Sequence, residues 1–204
     1  MSAVEVISDG LGVARRRITI STAGWADEIR QMGEEKQRVK LAVSLHSVND
    51  ETRSLLMPLN KKFNVEALRS SIEYYYAQTK QRVTFEYIFF DGVNDSNGDI
   101  AELIKFARRI PCKINVIPFH SISFAHPSGL GARLRPSPRI NAIVETLRNQ
   151  NLTVMIRSNA GEDIDAACGQ LAVNVRRTSR FSSRPSARKR VSTLPRLQTS
   201  RTVE

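Results

Sequence analysis

Residues 82–99 have the sequence RVTFEYIFFDGVNDSNGD, which contains the three parts of a βα unit in order. The segment from Arg82 to Phe90 is rich in Val, Ile and Phe, which predicts a strand. Gly, Asn and Asp follow it, as they do in a loop that leaves a strand. Ser96, with Asp99 three positions later, is a typical start signal of a helix. This stretch therefore predicts a strand that is followed directly by a helix.

Strand-like and helix-like segments alternate outward from this unit in both directions. Four further apolar runs of strand length are Arg17 to Ser21, Val39 to His46, Lys113 to Phe119 and Thr153 to Arg157. Such alternation is typical of βα units that share a parallel sheet, so the predicted fold class is α/β. Because the runs are almost continuously hydrophobic, we expect the strands to be buried on both faces.

Three helices are predicted between these strands. Two of them have apolar residues at three- and four-residue spacing, which is the pattern of an amphipathic helix. These residues are Val65, Leu68, Ile72 and Tyr75 or Tyr76 in the first helix, and Ile100, Leu103, Ile104 and Ala107 in the second. The third helix is predicted from Pro138 to Asn151, with Ser137 as its cap and proline at its first position.

The positive charge of the chain is concentrated near its C-terminus. The 204 residues carry a formal net charge of +11 and are 41% hydrophobic, which is compatible with one ordinary domain. Residues 175–204 contain nine Lys and Arg against one acid, so the preceding 174 residues have a net charge of only +3. We therefore predict a folded domain at 1–174 and an Arg- and Ser-rich, disordered tail at 175–204. The tail is an RNA-binding arm, or else a solvated extension or a non-native reading frame appended to a truncated gene.

Cysteine content and hydropathy indicate the cellular compartment. Cys112 and Cys168 are the only cysteines, so no disulfide framework is predicted and a reducing, cytoplasmic environment is the simpler interpretation. The N-terminus has no basic stretch followed by an apolar run, and no window approaches the roughly 18 apolar residues of a membrane span. Neither export nor membrane insertion is expected.

Polar side chains stand at the ends of the predicted strands, where ligands gather in α/β folds. Ser21 ends the first strand, Ser44 and His46 end the second, and His120 follows the fourth. Alternation along the strand puts Ser44 and His46 on one face, which suggests ligand contact. A buried histidine that is satisfied by the main chain is the alternative. Thr22 is better interpreted as a helix cap.

Residues 161–171, GEDIDAACGQL, place a thiol among very small neighbours. The alanines and the glycine around Cys168 would let a bulky ligand approach the sulfur, as a nucleophilic cysteine requires. Three acids lie within six residues of it. Nearby negative charge raises the pKa of a thiol, and a cationic ligand such as a sulfonium would relieve this effect. From spacing alone, a structural cysteine remains the alternative.

Several motifs together resemble one enzyme family. They are RRITISTAG at 16–24, AVSLH at 42–46, LMPLN at 56–60, FEY at 85–87, GVND at 92–95 and, most specifically, DIDAACGQL at 163–171. In combination they are similar to the RlmN/Cfr family of radical S-adenosylmethionine (SAM) RNA adenosine methyltransferases. The resemblance extends over about residues 11–173.

The resemblance implies a partial (β/α) radical SAM barrel, of which this chain is the C-terminal half. It implies SAM contacts at Ser21, at the strand end Ser44-Leu45-His46, and at His120, where the family commonly has asparagine. The CxxxCxxC loop that ligates a [4Fe-4S] cluster in the family lies N-terminal to anything in this sequence, so no metal ligand is expected here. Cys112 does not match a catalytic position of the family and is interpreted as structural.

The same resemblance implies an activity, the methylation of carbon 2 of adenine in 23S rRNA and tRNA. Cys168 is implied to be methylated by one SAM. A second SAM, reduced by the cluster with electrons from a donor, is implied to start the radical transfer of that methyl carbon to adenine. We expect this chain to be inactive without an N-terminal segment. The alternatives are a C8-methylating Cfr-type enzyme, and a non-catalytic RNA-binding remnant whose basic tail contacts phosphates.

Overall fold

The computed structural model describes residues 3–119 and 132–157, and its central feature is a five-stranded parallel sheet. The strands are β1 (Thr19–Thr22), β2 (Lys40–Ser44), β3 (Val83–Tyr87), β4 (Cys112–Val116) and β5 (Val154–Ile156). Each strand pairs in parallel with the next one along the chain, so sheet order and chain order are the same. The predicted α/β class and all five predicted strands are confirmed, and the apolar runs extend beyond the paired residues.

One short helix precedes the sheet, and the other helices connect successive strands. In chain order they are α1 (Ala3–Glu5), α2 (Ala26–Glu34), α3 (Asp50–Leu56), α4 (Val65–Thr79), α5 (Asn97–Ala107) and α6 (Ile140–Asn149). Single turns of π- or 3₁₀-helix lie at Val6–Gly10, Arg15–Arg17 and Pro58–Lys61. The three predicted helices are confirmed as α4, α5 and α6, and α1 to α3 are additional. No helix in the described ranges is long and apolar enough to span a membrane.

The sheet has one apolar face and one polar face. On β3, the side chains of Val83, Phe85 and Tyr87 are buried in the main core, which also contains apolar residues of α2, α4, α5 and α6. The intervening Thr84 and Glu86 point to the opposite face and are only half-buried. The strand β4 has the same alternation. The prediction of burial on both faces is therefore wrong for β3 and β4, because polar side chains occupy every second position.

The two predicted helix starts have different outcomes. At α5, Ser96 and Asp99 form a complete capping box, in which each side chain accepts a hydrogen bond from the other's N–H at 3.1 Å. At α6 the predicted Ser137 cap is wrong, because the helix begins at Ile140 without a side-chain cap. The Ser137 hydroxyl accepts from the N–H of Arg139 at 3.1 Å, in the turn before the helix, and donates to the carboxylate of the buried Asp95 at 2.6 Å.

Tyr75 joins α4 to the start of β2. Its side chain is fully buried, and its hydroxyl lies 2.6 Å from the main-chain oxygen of Val39, to which it donates. The helix α2 packs closely on the same part of α4, since a Cβ at Gly33 would lie 3.1 Å from the Cα of Tyr75. The helix α4 is thereby fixed between α2 and the sheet.

Tyr75→Phe should lower the free energy of unfolding by about 1 kcal/mol, because the change leaves a buried carbonyl without its donor. Tyr76→Phe is the matched control. Tyr76 is the next residue of the same helix, and its ring contacts the Lys80 ammonium at 5.7 Å without using the hydroxyl. Urea denaturation followed by circular dichroism measures both variants. Equal losses in the two would contradict the assigned hydrogen bond.

Candidate functional site

A buried arginine, Arg53 of α3, ties together the ends of β1 and β2. Its side chain is 0% exposed. Its Nη2 donates to the carbonyl oxygens of Ala23 at 2.8 Å and Ser44 at 3.2 Å, and its Nε donates to that of Leu45 at 3.2 Å. Its Nη1 donates to the side-chain oxygen of Asn60 at 2.9 Å. One guanidinium therefore fixes the main chain where both strands end.

Asn60 extends this network from the LMPLN motif to the start of α4. Its amide nitrogen donates to the Asp50 carboxylate at 2.8 Å, and the same carboxylate oxygen accepts from the N–H of Val65 at 2.8 Å. Burial lowers the pKa of Arg53, and the charge of Asp50 counteracts this shift. Arginine nevertheless stays protonated in proteins. The network therefore stabilises a buried positive charge with hydrogen bonds and one carboxylate.

The turn after β1 is built to admit the Arg53 guanidinium. Gly24 has a φ of +109°, and a Cβ at this position would lie 2.8 Å from Nη2 of Arg53 and 3.3 Å from Cδ2 of Leu68. Only glycine satisfies both the backbone angle and the close approach. The hydroxyl of Thr22 accepts from the N–H groups of Gly24 and Trp25 at 3.1 and 3.3 Å. Thr22 thus caps the turn that precedes α2. Its interpretation as a helix cap is wrong, because Trp25 is the N-cap residue and no side chain caps the helix.

His46 follows β2, and its side chain extends the pairing of β2 with β3 by binding the main chain just after β3. It has a left-handed φ of 55°, and its Nδ1 accepts from the N–H of Ile88 at 3.2 Å. Burial, with a smaller contribution from the charge of Arg53, lowers the pKa of His46 from 6.5 to about 4. The ring is therefore neutral at physiological pH, with its proton on Nε2. Among the described residues no acceptor pairs with the Nε2–H group, so it can donate to a ligand.

Asn94, from the GVND motif, holds the end of β3 against His46. It is 0% exposed. Its side-chain oxygen accepts from the N–H of Phe90 at 2.7 Å, and its amide nitrogen donates to the carbonyl oxygens of His46 at 2.6 Å and Ile88 at 2.8 Å. The motif was recognisable in the sequence, but this bridging role was not. Arg53 was missed altogether, since its only signal was its position a few residues before LMPLN.

A row of polar side chains crosses the polar face just below this edge. In the register of the sheet, Ser44 lies beside Glu86, and Glu86 lies beside Asn115. The Asn115 amide donates to one oxygen of the Glu86 carboxylate at 2.9 Å. Hydroxyl, carboxylate and amide groups in one row can bind the hydroxyl and amino groups of a polar ligand.

The predicted site residues on β1 and β2 lie at this edge to different degrees. Ser21 is exposed and Ser44 is half-buried. The register places both hydroxyls on the polar face. Leu45 is fully buried in the core, so a ligand could contact only its main chain. Ser21, Ser44 and His46 therefore lie at one edge of the sheet. The Leu45 side chain packs in the core beneath them.

Three predicted features, Cys168, His120 and the tail at 175–204, lie outside the described residues. Within the described ranges, no group of three or more His, Cys, Asp or Glu side chains could hold a metal ion. The thiol of Cys112 donates to the carbonyl oxygen of Ala107 at 3.4 Å, and burial raises its pKa to about 11. Cys112 has the contacts of a structural cysteine, as predicted.

Known proteins with similar sequences share one name. The chain is 39% identical over 175 residues to a Flavobacterium psychrophilum protein named "Probable dual-specificity RNA methyltransferase RlmN", and 43% identical over 165 residues to the Cytophaga hutchinsonii protein of the same name. The chain belongs to the RlmN family. These matches cover 84% and 81% of the chain, and the chain spans about half the length of the curated relatives that it matches, 49% and 44% here. No family model matches the chain.

Solved structures agree with the assignment to the RlmN family. A radical SAM methyltransferase from Sphaerobacter thermophilus matches 82% of the chain with a TM-score of 0.72 and 39% identity, over 48% of its own length. A domain of a pyruvate-formate lyase-activating enzyme from Bacteroides vulgatus matches 76% of the chain with a TM-score of 0.54. At 15% identity this second likeness shows the fold alone. The predicted family and the predicted radical SAM fold are confirmed.

Arg53→Met should lower the free energy of unfolding by about 3 kcal/mol or more, because it leaves several buried acceptors without a donor. The matched control is Arg30→Met, since Arg30 pairs on the surface with Glu34 and is 56% exposed. We expect its cost to stay below about 1 kcal/mol. Urea denaturation compares the two. A loss for Arg53→Met no larger than that of the control would contradict the role of Arg53.

The neutral His46 predicts a pH dependence of stability. Its pKa is about 4 in the folded protein against 6.5 normally, so between these values the unfolded chain binds more protons. The free energy of unfolding should therefore fall as the pH is lowered from 6.5 to about 4 and then level off, with a total loss of the order of 3 kcal/mol from this residue. Denaturation at a series of pH values measures the slope.

His46→Asn is the variant that isolates this effect. Its side-chain oxygen can accept from the N–H of Ile88 in place of Nδ1, asparagine tolerates a left-handed φ, and no proton is taken up. The pH dependence between 4 and 6.5 should become clearly shallower in this variant. An unchanged slope would show that other groups cause the acid destabilisation.

Proposed function

We propose that this chain supplies the SAM-binding and methyl-accepting part of an RNA methyltransferase that acts on carbon 2 of adenine. The observation that carries the proposal is the edge formed by β1 and β2. Two sequence motifs that resemble the family meet there, and the Arg53 guanidinium fixes both of them. Ser21, Ser44 and His46 lie along this edge.

The described residues fit SAM chemically. SAM has a sulfonium cation, an amino acid end and a ribose with two hydroxyls. The hydroxyls of Ser21 and Ser44 and the Glu86 carboxylate are suited to bind its polar groups. The His46 ring is neutral at physiological pH, so it can donate a hydrogen bond from Nε2 without repelling the sulfonium. His120 is proposed to donate a further hydrogen bond to SAM.

The proposed chemistry of this chain centres on Cys168. SAM, when bound, supplies the methyl group. The Cys168 thiol loses its proton, its sulfur forms a bond to the methyl carbon, and the sulfonium leaves as a neutral thioether. Cationic SAM also offsets the acidic neighbours of Cys168, which would otherwise raise the pKa of its thiol. Cys168 then holds the methyl carbon that is transferred to adenine.

The radical step needs a [4Fe-4S] cluster and an electron donor. The described residues of this chain are not suited to ligate the cluster. They contain no group of three or more possible metal ligands. The whole sequence has two cysteines, whereas such clusters are held by Cys thiolates, commonly four. We therefore propose that residues outside these 204 bind the cluster and complete the enzyme.

The proposed substrates are 23S rRNA and tRNA, and the proposed compartment is the cytoplasm. The relatives are named dual-specificity RNA methyltransferases, which supports an RNA substrate. The basic residues at 175–204 are proposed to be a separate tail after a domain at 1–174, and their nine Lys and Arg residues suit phosphate contacts.

The test is co-expression of this chain with the remaining part of the Flavobacterium psychrophilum relative, anaerobically and with iron and SAM. Intact-mass analysis should show that this chain gains the mass of one methylene. Cys168→Ala should abolish the gain, whereas Cys112→Ala should keep it because that thiol is structural. Ser44→Ala should reduce the gain by weakening SAM binding.

Nucleoside analysis of the RNA then identifies the product. We expect adenine methylated on carbon 2, and methylation on carbon 8 would support the Cfr-type alternative. RNA methylation that survives Cys168→Ala would sink the proposed mechanism. RNA binding without any mass gain on the chain would favour a non-catalytic RNA-binding module.

A further inference from the structure

Trp25 is an exposed aromatic residue at the edge of the candidate site. It directly follows the turn that leaves β1, and its N–H donates to the hydroxyl of Thr22 at 3.3 Å. Its carbonyl oxygen accepts from the N–H of Ile29, in the first turn of α2. The main chain of Trp25 is therefore fixed, yet 45% of the residue is exposed. The indole is therefore attached to a fixed main chain while about half of the residue is open to a ligand that can stack on it.

A lysine and a second aromatic ring lie beside the indole. The ammonium of Lys62 is 4.8 Å from the centroid of the Trp25 ring and 4.8 Å from that of Phe63. The two rings are 5.9 Å apart and tilted by 59°. Phe63 is only 7% exposed and is one of the buried hydrophobic residues, whereas Lys62 is exposed. The Lys62 ammonium forms no ion pair within the described parts of the chain.

We propose that Trp25 and Lys62 form a binding surface for one unpaired RNA nucleotide, with the base stacked on the indole and the phosphate beside the ammonium. The inference rests on the proposed function, because it gives the RNA substrate a contact near the SAM-binding edge. Exposed aromatic side chains next to basic groups are the usual means by which proteins bind unstacked bases. The ammonium can hold its position over the ring and contact a phosphate as well, because lysine has three donors.

The charge next to the indole distinguishes a nucleotide from an apolar protein partner. An apolar partner that covered Trp25 would also bury the unpaired Lys62 ammonium, which is unfavourable. A nucleotide instead supplies a flat apolar surface and a negative charge together. Stacking also tolerates any base, so this surface would add affinity without selecting the sequence.

The single tryptophan of the chain makes the test direct, since all indole fluorescence comes from Trp25. The full chain is titrated with a short oligo(A) RNA and, separately, with inorganic polyphosphate. We expect oligo(A) to quench the fluorescence and polyphosphate, which has no bases, to leave it nearly unchanged. Binding of labelled oligo(A), followed by anisotropy, should weaken about tenfold in Trp25→Leu.

Three further variants control for folding and separate the roles of the two side chains. Trp25→Phe should retain most of the affinity, because phenylalanine still stacks. Lys62→Ala should reduce the dependence of binding on salt by about one phosphate contact. Tyr76→Leu removes a similar aromatic–lysine pair on α4, with the ammonium of Lys80 at 5.7 Å, and should leave binding unchanged.

Bound oligo(A) with unchanged fluorescence, together with full affinity in Trp25→Leu, would overturn the inference. The proposed function is judged separately by methylation of Cys168 in the reconstituted enzyme. If that methylation occurs while Trp25→Leu binds RNA normally, only the surface is wrong. If quenching occurs and Cys168 is never methylated, the surface stands and the proposed function fails.

Discussion

The Arg53 guanidinium, buried among carbonyl oxygens, is the interaction on which the candidate site depends. Moving a charge out of water is expensive, and the structure offsets this cost with acceptors at Ala23, Ser44, Leu45 and Asn60. Ala23 directly follows β1 and Leu45 directly follows β2, where the hydrogen bonds between the two strands end. The hydrogen bonds that stabilise the charge are therefore also those that shape the edge of the sheet.

The sheet divides structural and chemical tasks between its two faces. Phe85 and its neighbours bind the helices, while Ser44, Glu86 and Asn115 form a row on the other face. Because the side-chain period of a strand is two, the same short segments serve both tasks without conflict. The carboxyl edge adds a neutral imidazole at His46, whose protonation is suppressed by burial.

Local signals predicted the elements well, and long-range contacts account for most of the errors. The α5 start was readable because Ser96 and Asp99 are three residues apart. The hydrogen bond from the Ser137 hydroxyl to Asp95 was not, because the two residues are far apart in sequence. Apolar runs located the strands but concealed the polar face, since single polar residues among Val and Phe look incidental. The role of Arg53 could not be predicted from local sequence either, because its hydrogen-bond acceptors come from three separate segments of the chain.

The contact between Gly24 and Arg53 has an evolutionary consequence. Any side chain at position 24 would meet the guanidinium at 2.8 Å, and a smaller residue at position 53 would leave the carbonyls unpaired. The φ of +109° at Gly24 requires glycine even if Arg53 changes, so a second substitution at position 53 does not free position 24. We therefore expect related sequences to keep both residues in the first turn of the sheet, even where the surface around it varies.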